Sequence, residues 1–444
     1  MCSDTARLYL EIVIRGYHAV TNLRPVNLNE RRPLPMKLFV GIDVSSTDLE
    51  TVMMSSKDNE VVFQGNFVND INGASDIKQT VLKLATTEHF DQIVIGMEAT
   101  SIYSFHPSFF FKNDDDLKQY NTETVVINPK ETKRYHDIFE ENKNDKLDAF
   151  YIADYLRIGR YTVGIVKQEN YLALQRLTRS RYELVKSSVR AKQHFIENLY
   201  YKVNKLVTTD KPKTNVFGTT MMDMLTEDLS TDDLANLPIE DLANYLSQKG
   251  HGRFSNPEAL ASAIQKAVRG SYRLGKVMAD SVDTVLSVYA TEIKTFKKMI
   301  AELDHAIADL IQTIPEKQIL QSIPGIGPVY ADGILAEIGQ IDRFDDETKL
   351  ASYAGLSWRQ KQSGNYNSSI TPLIRSGDSY LRYYLVEAAN HVKLKDDVFK
   401  DYYDRKYHEV SQSPHKRALV LTARKLIRVI FFLLKNHQIY EERR

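Results

Sequence analysis

From Lys37 onward, short apolar runs alternate with amphipathic stretches. KLFVGIDV (37–44) predicts a buried strand, and EVVFQGNFV (60–68) a second one with period-two character. Residues 73–87 carry the spacing of an amphipathic helix. DQIVIGME (91–98) predicts another buried strand, and TVVINP (124–129) a further one that its proline stops. Asn144 to Arg160 predicts a helix whose apolar face holds Leu147, Phe150, Tyr151 and Leu156, interrupted by Asp154. Strands alternating with helices imply an α/β layer with a central mixed sheet.

The middle of the chain changes period. Val282, Leu286, Tyr289, Ile293, Phe296, Ile300, Leu303, Ile307, Leu310 and Ile314 are spaced alternately four and three apart. A seam held that long predicts a left-handed coiled coil, against the alternative of an ordinary long core helix. An earlier seam keeps the same spacing through Tyr182, Val185, Val189, Lys192, Ile196, Leu199, Val203 and Leu206. The two seams are expected to pair antiparallel within the chain or with another chain. Residues 207–280 between them form an inserted module of no legible function.

A third region opens with SIPGIGPVYADGILAEIG (322–339), a Pro-Gly-x-Gly turn between two short helical patterns. Gly325 and Gly327 open backbone conformations closed to other residues, so their amides can approach a phosphate. This predicts a helix-hairpin-helix-like motif gripping DNA backbone, with a plain tight turn as the alternative. The tail, HKRALVLTARKLIRVIFFLLK (415–435), predicts a helix with cations among apolar positions, either phosphate-facing or simply solvated.

Composition narrows this little. Lysine plus arginine equals aspartate plus glutamate, at 58 each, so a nucleic-acid partner would require the cations to be gathered on one face. The single cysteine, Cys2, excludes an internal disulfide and a cysteine-rich zinc module, and a reducing, cytoplasmic setting is expected. Val429–Leu434 is too short to span a bilayer, so no membrane partner is expected. Met36 directly precedes the first strand, which makes it the expected functional start and residues 1–35 an N-terminal extension.

The chemistry lies in the acids. Asp43 sits inside a strand, where a carboxylate persists only with a cation or donors nearby, unless it caps a turn with Ser45 and Ser46. Glu98 ends an apolar strand at the edge where open α/β sheets place their ligands. Asp145 and Asp148, three apart on a helix, share a face and repel unless a metal or Lys143 and Lys146 compensate. Together the four offer only oxygen ligands, which suits Mg²⁺ or Mn²⁺ rather than zinc. Four carboxylates can bridge two ions about 4 Å apart for phosphodiester cleavage. The basic residues Arg176, Arg179, Arg181 and Arg190 are candidate DNA or RNA phosphate contacts, as are Arg375 and Arg382.

FVGIDVS, VIGMEAT and KNDKLDA, in that order, resemble the Asp-Glu-Asp-Asp constellation of the IS-one-ten family of insertion-sequence transposases. SIPGIGPVYADGILAEIGQIDRFDDETKLASYAGLSWRQKQSG resembles that family's second, C-terminal transposase domain. The resemblance implies a RuvC-like, ribonuclease-H-type domain and maps Asp43, Glu98, Asp145 and Asp148 onto metal ligands. It implies that Ser363, before Gly364, is a nucleophile joined covalently to a DNA phosphate. It also implies a homo-oligomer, dimer or tetramer, and guidance by a structured noncoding RNA. The chain departs from the family pattern in IRSGDSYLR (374–382), where Asp378 stands in place of a neutral residue, and in its long insertion.

The expected fold is thus α/β plus α. It comprises the extension (1–35), a RuvC-like mixed-sheet catalytic domain (36–165) and a coiled-coil helix (166–206). The inserted module (207–280), a second coiled-coil helix (281–316) and a mostly helical C-terminal domain (317–444) follow. The expected function is cutting and rejoining DNA of a mobile element. A junction-resolving nuclease without a covalent intermediate is the alternative, and a sugar- or acetate-kinase-like phosphotransferase lacks its second glycine-rich loop here.

Overall fold

A computed structural model describes residues 35–441, apart from 100–101, 139–144, 160–166, 209–213, 359–361, 364–365, 368–372 and 375. At Asp145, Lys146, Gln362, Ser363, Tyr366 and Asn367 only the backbone is described. The chain divides into two compact units, one ending at Val166 and the other beginning at Lys167. Among the described residues no helix is long and apolar enough to cross a membrane.

The first unit is built on a five-stranded mixed sheet in the order β3-β2-β1-β4-β5. Strands β1 (Lys37–Val44), β2 (Asp48–Ser55) and β3 (Val61–Val68) form an antiparallel meander. On the other side of β1, β4 (Gln92–Glu98) and β5 (Glu123–Ile127) run parallel to it. Four of these strands match the apolar runs of the sequence. Strand β2 does not stand out there, because both its faces are covered and its buried positions run on without alternation. The proline after β5 starts a helix as well as stopping the strand. Asn128 caps it through Lys130 N at 3.0 Å, and Pro129 takes the first turn, where no backbone donor is needed.

Each sheet face has its own cover. Alternate residues Leu38, Val40, Ile42 and Val44 join helix α1 (Ile71–Thr87) and helix α2 (Phe105–Asn113) in one apolar core. Phe39, Val52, Met54, Val94, Val125 and Ile127 face the other way. They pack against Ala149, Ile152, Ala153 and Leu156 of the last helix of the unit, α4 (Asp145–Ile158), which follows α3 (Pro129–His136). The expected face of α4 holds in part: Leu156 meets the sheet and Tyr151 is buried, but the small Ala149 and Ala153 make the close contact, and Leu147 and Phe150 are only half-buried. Asp154, the acid that interrupts the expected face, accepts from Tyr135 Oη and pairs with Arg157 at 2.6 Å.

The second unit begins with two long helices, α5 (Glu169–Lys202) and α6 (Lys276–Leu310), packed antiparallel. Arg181 meets Asp304, the rings of His194 and Tyr289 stack at 5.3 Å, and Lys202 pairs with Asp283 at 2.8 Å. On α6, Val282, Leu286 and Ile293, all on the expected seam, are buried. On α5 and just beyond it the last three positions of the expected seam, Leu199, Val203 and Leu206, are buried, whereas further up the helix the stripe shifts to Thr178, Ser188, Ala191 and Phe195 and Val189 is 59% exposed. The segment between the long helices carries helices Thr219–Asp223, Thr231–Asn236, Ile239–Lys249 and Pro257–Arg269, whose apolar faces share one core with the ends of α5 and α6.

The remainder is mostly helical: α7 (Glu316–Gln321), α8 (Pro328–Ile338), α9 (Glu347–Tyr353), α10 (Ser379–Val392), α11 (Asp397–His408) and α12 (Pro414–Asn436). Between α9 and α10 the chain makes four two-residue strands. Strand β6 (Ser357–Trp358) pairs with β9 (Leu373–Ile374), and β7 (Gln362–Ser363) with β8 (Tyr366–Asn367). On α12, Leu426, Ile427, Ile430 and Leu434 are buried while two of the cations are engaged locally. Lys425 donates to Val398 O at 2.9 Å and Lys435 to Asp342 at 2.6 Å.

Candidate active site

Asp43 is the next-to-last residue of β1 and Glu98 the last of β4, two neighbouring parallel strands in which Gly41 pairs with Gly96 and Ile42 with Met97. Both acids stand two residues beyond those glycines, so all four share the face covered by α4. The glycines explain why that helix lies so close. A Cβ on Gly41 would fall 2.3 Å from Ala149 O and 2.4 Å from Ala153 N, and one on Gly96 would fall 2.6 Å from Leu156 Cδ1. Asp148 immediately precedes Ala149, and the backbone of Asp145 stands one turn earlier at the start of α4. Strand ends and helix start thus place the four acids on one side of one sheet.

Helix α3 holds two of them. Thr132 donates its hydroxyl to Glu98 Oε2 at 2.9 Å, and one turn later His136 Nε2 stands 3.8 Å from Asp148 Oδ1. The His136 ring packs edge-on against Tyr151, 4.8 Å between centroids. Tyr135 donates to Asp154 and Tyr155 to Glu131 at 3.3 Å, which tie α3 to α4. Burial and the Asp154 carboxylate push the Tyr135 phenol well above its usual range, so it remains a donor. Thr132 and His136 are the functional candidates that sequence reading missed, since nothing in an isolated Thr or His reports a partner 34 or 12 residues away. Glu50 was missed too. It is buried, pairs in register with Asp43 on β2, and accepts from Gln64 at 3.5 Å.

Among the described residues no three His, Cys, Asp or Glu side chains converge closely enough to hold an ion, and the side chain of Asp145 is not among those described. The donor chemistry nevertheless fits a divalent cation. Asp43, Glu98 and Asp148 share one side of the sheet, and the imidazole nitrogen beside Asp148 is buried without a hydrogen-bond partner.

In the second unit Ser363 lies in the β7–β8 ladder, paired with Tyr366, beyond the β6–β9 ladder that begins and ends the excursion. The base of this excursion is clamped. Asp378 N donates to Tyr353 O at 2.6 Å, and Arg382 reaches Ala354 O at 3.3 Å. Asp378 also caps α10 through Leu381 N at 2.8 Å and binds Arg179 at 2.9 Å. Arg179 is further held by Glu337, which is fully buried, through bonds of 2.7 and 2.8 Å. The unexpected acid at 378 is thus a scaffold residue.

Several of the expected phosphate contacts have partners within the chain. Arg179 and Arg382 serve the scaffold just described, and Arg181 binds Asp304. Arg176 and Arg190 are exposed on α5, and Arg375 lies outside the described residues. Gly325, at φ +94°, is required by packing, since a Cβ there would meet the backbone of His391 at 2.8 Å. Gly327, which caps α8, faces open space and alone of the two leaves room for a ligand's approach.

Comparison with known proteins decides the family. A model described as a transposase, of the Asp-Glu-Asp-Asp type, matches residues 40–201, and one described as the transposase IS116/IS110/IS902 family matches residues 317–404. Together they cover more than half of the chain, and the first spans all four acids while the second spans Ser363.

The chain belongs to the IS110 family of transposases.

This transposase is 22% identical over 423 residues to an uncharacterized 44.8 kDa protein of insertion element IS116 from Streptomyces clavuligerus, covering 91% of its own length and 96% of that protein. It is 29% identical to the pilin gene-inverting protein of Moraxella bovis over 36% of its length and 52% of the relative's. To the transposase of insertion sequence IS1111A from Coxiella burnetii it is 28% identical, over 35% and 43% respectively. As an IS110-family transposase it is a DNA transposase/recombinase of a mobile element, with DNA as its partner. Enzymes of the Asp-Glu-Asp-Asp type are metal-dependent. The insertion and all of α6 fall between the two matched segments.

Proposed function

We propose that this transposase cuts and rejoins DNA by transesterification through Ser363, with Mg²⁺ or Mn²⁺ held by Asp43, Glu98, Asp145 and Asp148. The observation that carries this reading is the side of the sheet those acids share, set by paired glycines beneath α4. The strand order β3-β2-β1-β4-β5, with a helix laid across the acid-bearing face, supports a RuvC-like assignment for this unit. The packed seam of α6 supports the coiled-coil reading of the long helices. Bound metal would supply charge to stabilise the attacking and leaving oxygens of the phosphodiester.

The chain's own part is positional. Thr132 holds the Glu98 carboxylate in one orientation, and α3 and α4 brace each other through Tyr135, Tyr155 and Asp154. Ser363 Oγ attacks phosphorus, an Oγ–P bond forms, the P–O bond to the sugar breaks, and the sugar oxygen leaves carrying a proton. Attack by an incoming sugar hydroxyl reverses those bonds and frees the serine, so the bond energy is conserved and no ATP is needed. A serine hydroxyl is a weak nucleophile at neutral pH and needs such activation. Partners in this reading are the DNA ends and target, a structured noncoding guide RNA, and further copies of the chain as a dimer or tetramer. Arg176 and Arg190 on α5 and the open turn at Gly327 are its nucleic-acid contacts. Trapping a covalent protein–DNA adduct under denaturing conditions, with Ser363→Ala as control, tests it. DNA cut without an adduct would mean a hydrolytic nuclease.

A further inference from the structure

We propose that His136 is a nitrogen ligand of the metal centre, an inference that rests on the metal assignment above and extends its donor set beyond the four carboxylates. The starting observation is an orphan. Nε2 of His136 is buried and has no hydrogen-bond partner, a condition that is costly for a polar atom and so calls for a reason.

That nitrogen stands 3.8 Å from Asp148 Oδ1. The separation is too long for a hydrogen bond. It is within the span of two bonds of about 2.1 Å to one shared ion.

The ring is also aimed. Tyr151 packs against it edge-on, and the helix that carries it is pinned at three further points: Thr132 to Glu98, Tyr135 to Asp154, and Glu131 to Tyr155. Thr132 and His136 are one turn apart, so a single face of α3 addresses Glu98 and Asp148 together. One residue of that face orients a carboxylate, and the other places its unpartnered ring nitrogen beside a second carboxylate. An imidazole among oxygens changes what the centre prefers. Oxygen-only sets suit Mg²⁺, whereas a nitrogen donor favours Mn²⁺ and the later divalent metals.

The test uses the full-length protein loaded with Mn²⁺ and read by pulsed electron paramagnetic resonance, in which a directly bound ¹⁴N modulates the metal's echo. Wild-type protein is expected to bind Mn²⁺ and show nitrogen modulation. His136→Asp, which replaces nitrogen by oxygen, is expected to keep the ion and lose the modulation. In His136→Asn the Mn²⁺ affinity should fall at least about 10-fold, with Mg²⁺ affinity falling less. Bound Mn²⁺ without nitrogen modulation in the wild type, or modulation that survives His136→Asp, would overturn the ligand assignment and leave the carboxylate centre standing. Absence of bound Mn²⁺ in the wild type, or binding indifferent to Asp43→Asn, would overturn the carboxylate centre and this inference with it.

Discussion

Asp332 carries a cost that the fold tolerates. It is buried on α8, one carboxylate oxygen has no partner, and burial pushes its pKa from 3.8 up to about 6. Between about pH 4 and about pH 6 the unfolded chain has released a proton that the folded chain still holds, so stability falls as pH rises through that window. Asp332→Asn should therefore stabilise the protein at pH 8 by roughly 1–2 kcal/mol, and the gain should shrink towards pH 4. Thermal melts of both proteins across that range check the sign. Glu337 is the opposite case. Its charge is matched by Arg179 and by Lys167, which burial pushes down to about 7. Glu337→Gln should cost about 3–5 kcal/mol, because it strands those cations in the interior. Denaturant midpoints would measure it. At this scale Asp43 and Glu98 stood out as carboxylates on apolar strands, whereas Asp145 and Asp148 drew notice as like charges one turn apart on a helix. Thr132, His136 and Glu50 stayed hidden, because their meaning depends on which strand and helix they meet.

At the scale of elements, the close seat of α4 on the sheet depends on two glycines and two alanines. Gly41→Ala would drive a methyl into Ala149 O and Ala153 N, so about 3 kcal/mol or more of stability should be lost along with DNA cleavage. If Gly41→Ala melts with the wild type, the seat of α4 has been misjudged. Strand positions were legible from apolar runs alone, with β2 the exception because burial on both faces erased its alternation. The α6 seam was legible, and on α5 the expected seam holds only at its C-terminal end, from Leu199 to Leu206. A helix with one neighbour writes a clean period, whereas one with several buries Thr178, Ser188 and Ala191 and leaves Val189 exposed. The Pro-Gly-x-Gly turn was recognised as a turn, yet its two glycines divide the work between packing and access. Gly325→Ala should destabilise through its φ of +94° and the clash with α10, whereas Gly327→Ala should leave melting nearly unchanged.

At the scale of the whole molecule, equal numbers of acidic and basic residues leave no net attraction for a polyanion, so affinity must come from local arrangement. Arg190→Ala should weaken DNA or RNA binding and reduce the slope of log affinity against log salt by about 1. Arg179→Ala should instead lower the melting temperature, since its guanidinium is occupied by Glu337 and Asp378. The proposed catalytic groups are divided between two units of the chain, the acids before Val166 and Ser363 after Lys167. No local pattern in the sequence joins them, and the family resemblance alone pointed to their cooperation.

That cooperation is the central claim, and a covalent-trapping assay meets it directly. Full-length protein, Mg²⁺, the element's own transcripts and labelled element-end DNA are mixed and resolved under denaturing conditions, beside Ser363→Ala and Asp145→Ala. The account predicts a protein–DNA adduct in the wild type that both substitutions abolish. Cleavage without an adduct, undiminished in Ser363→Ala, would contradict it.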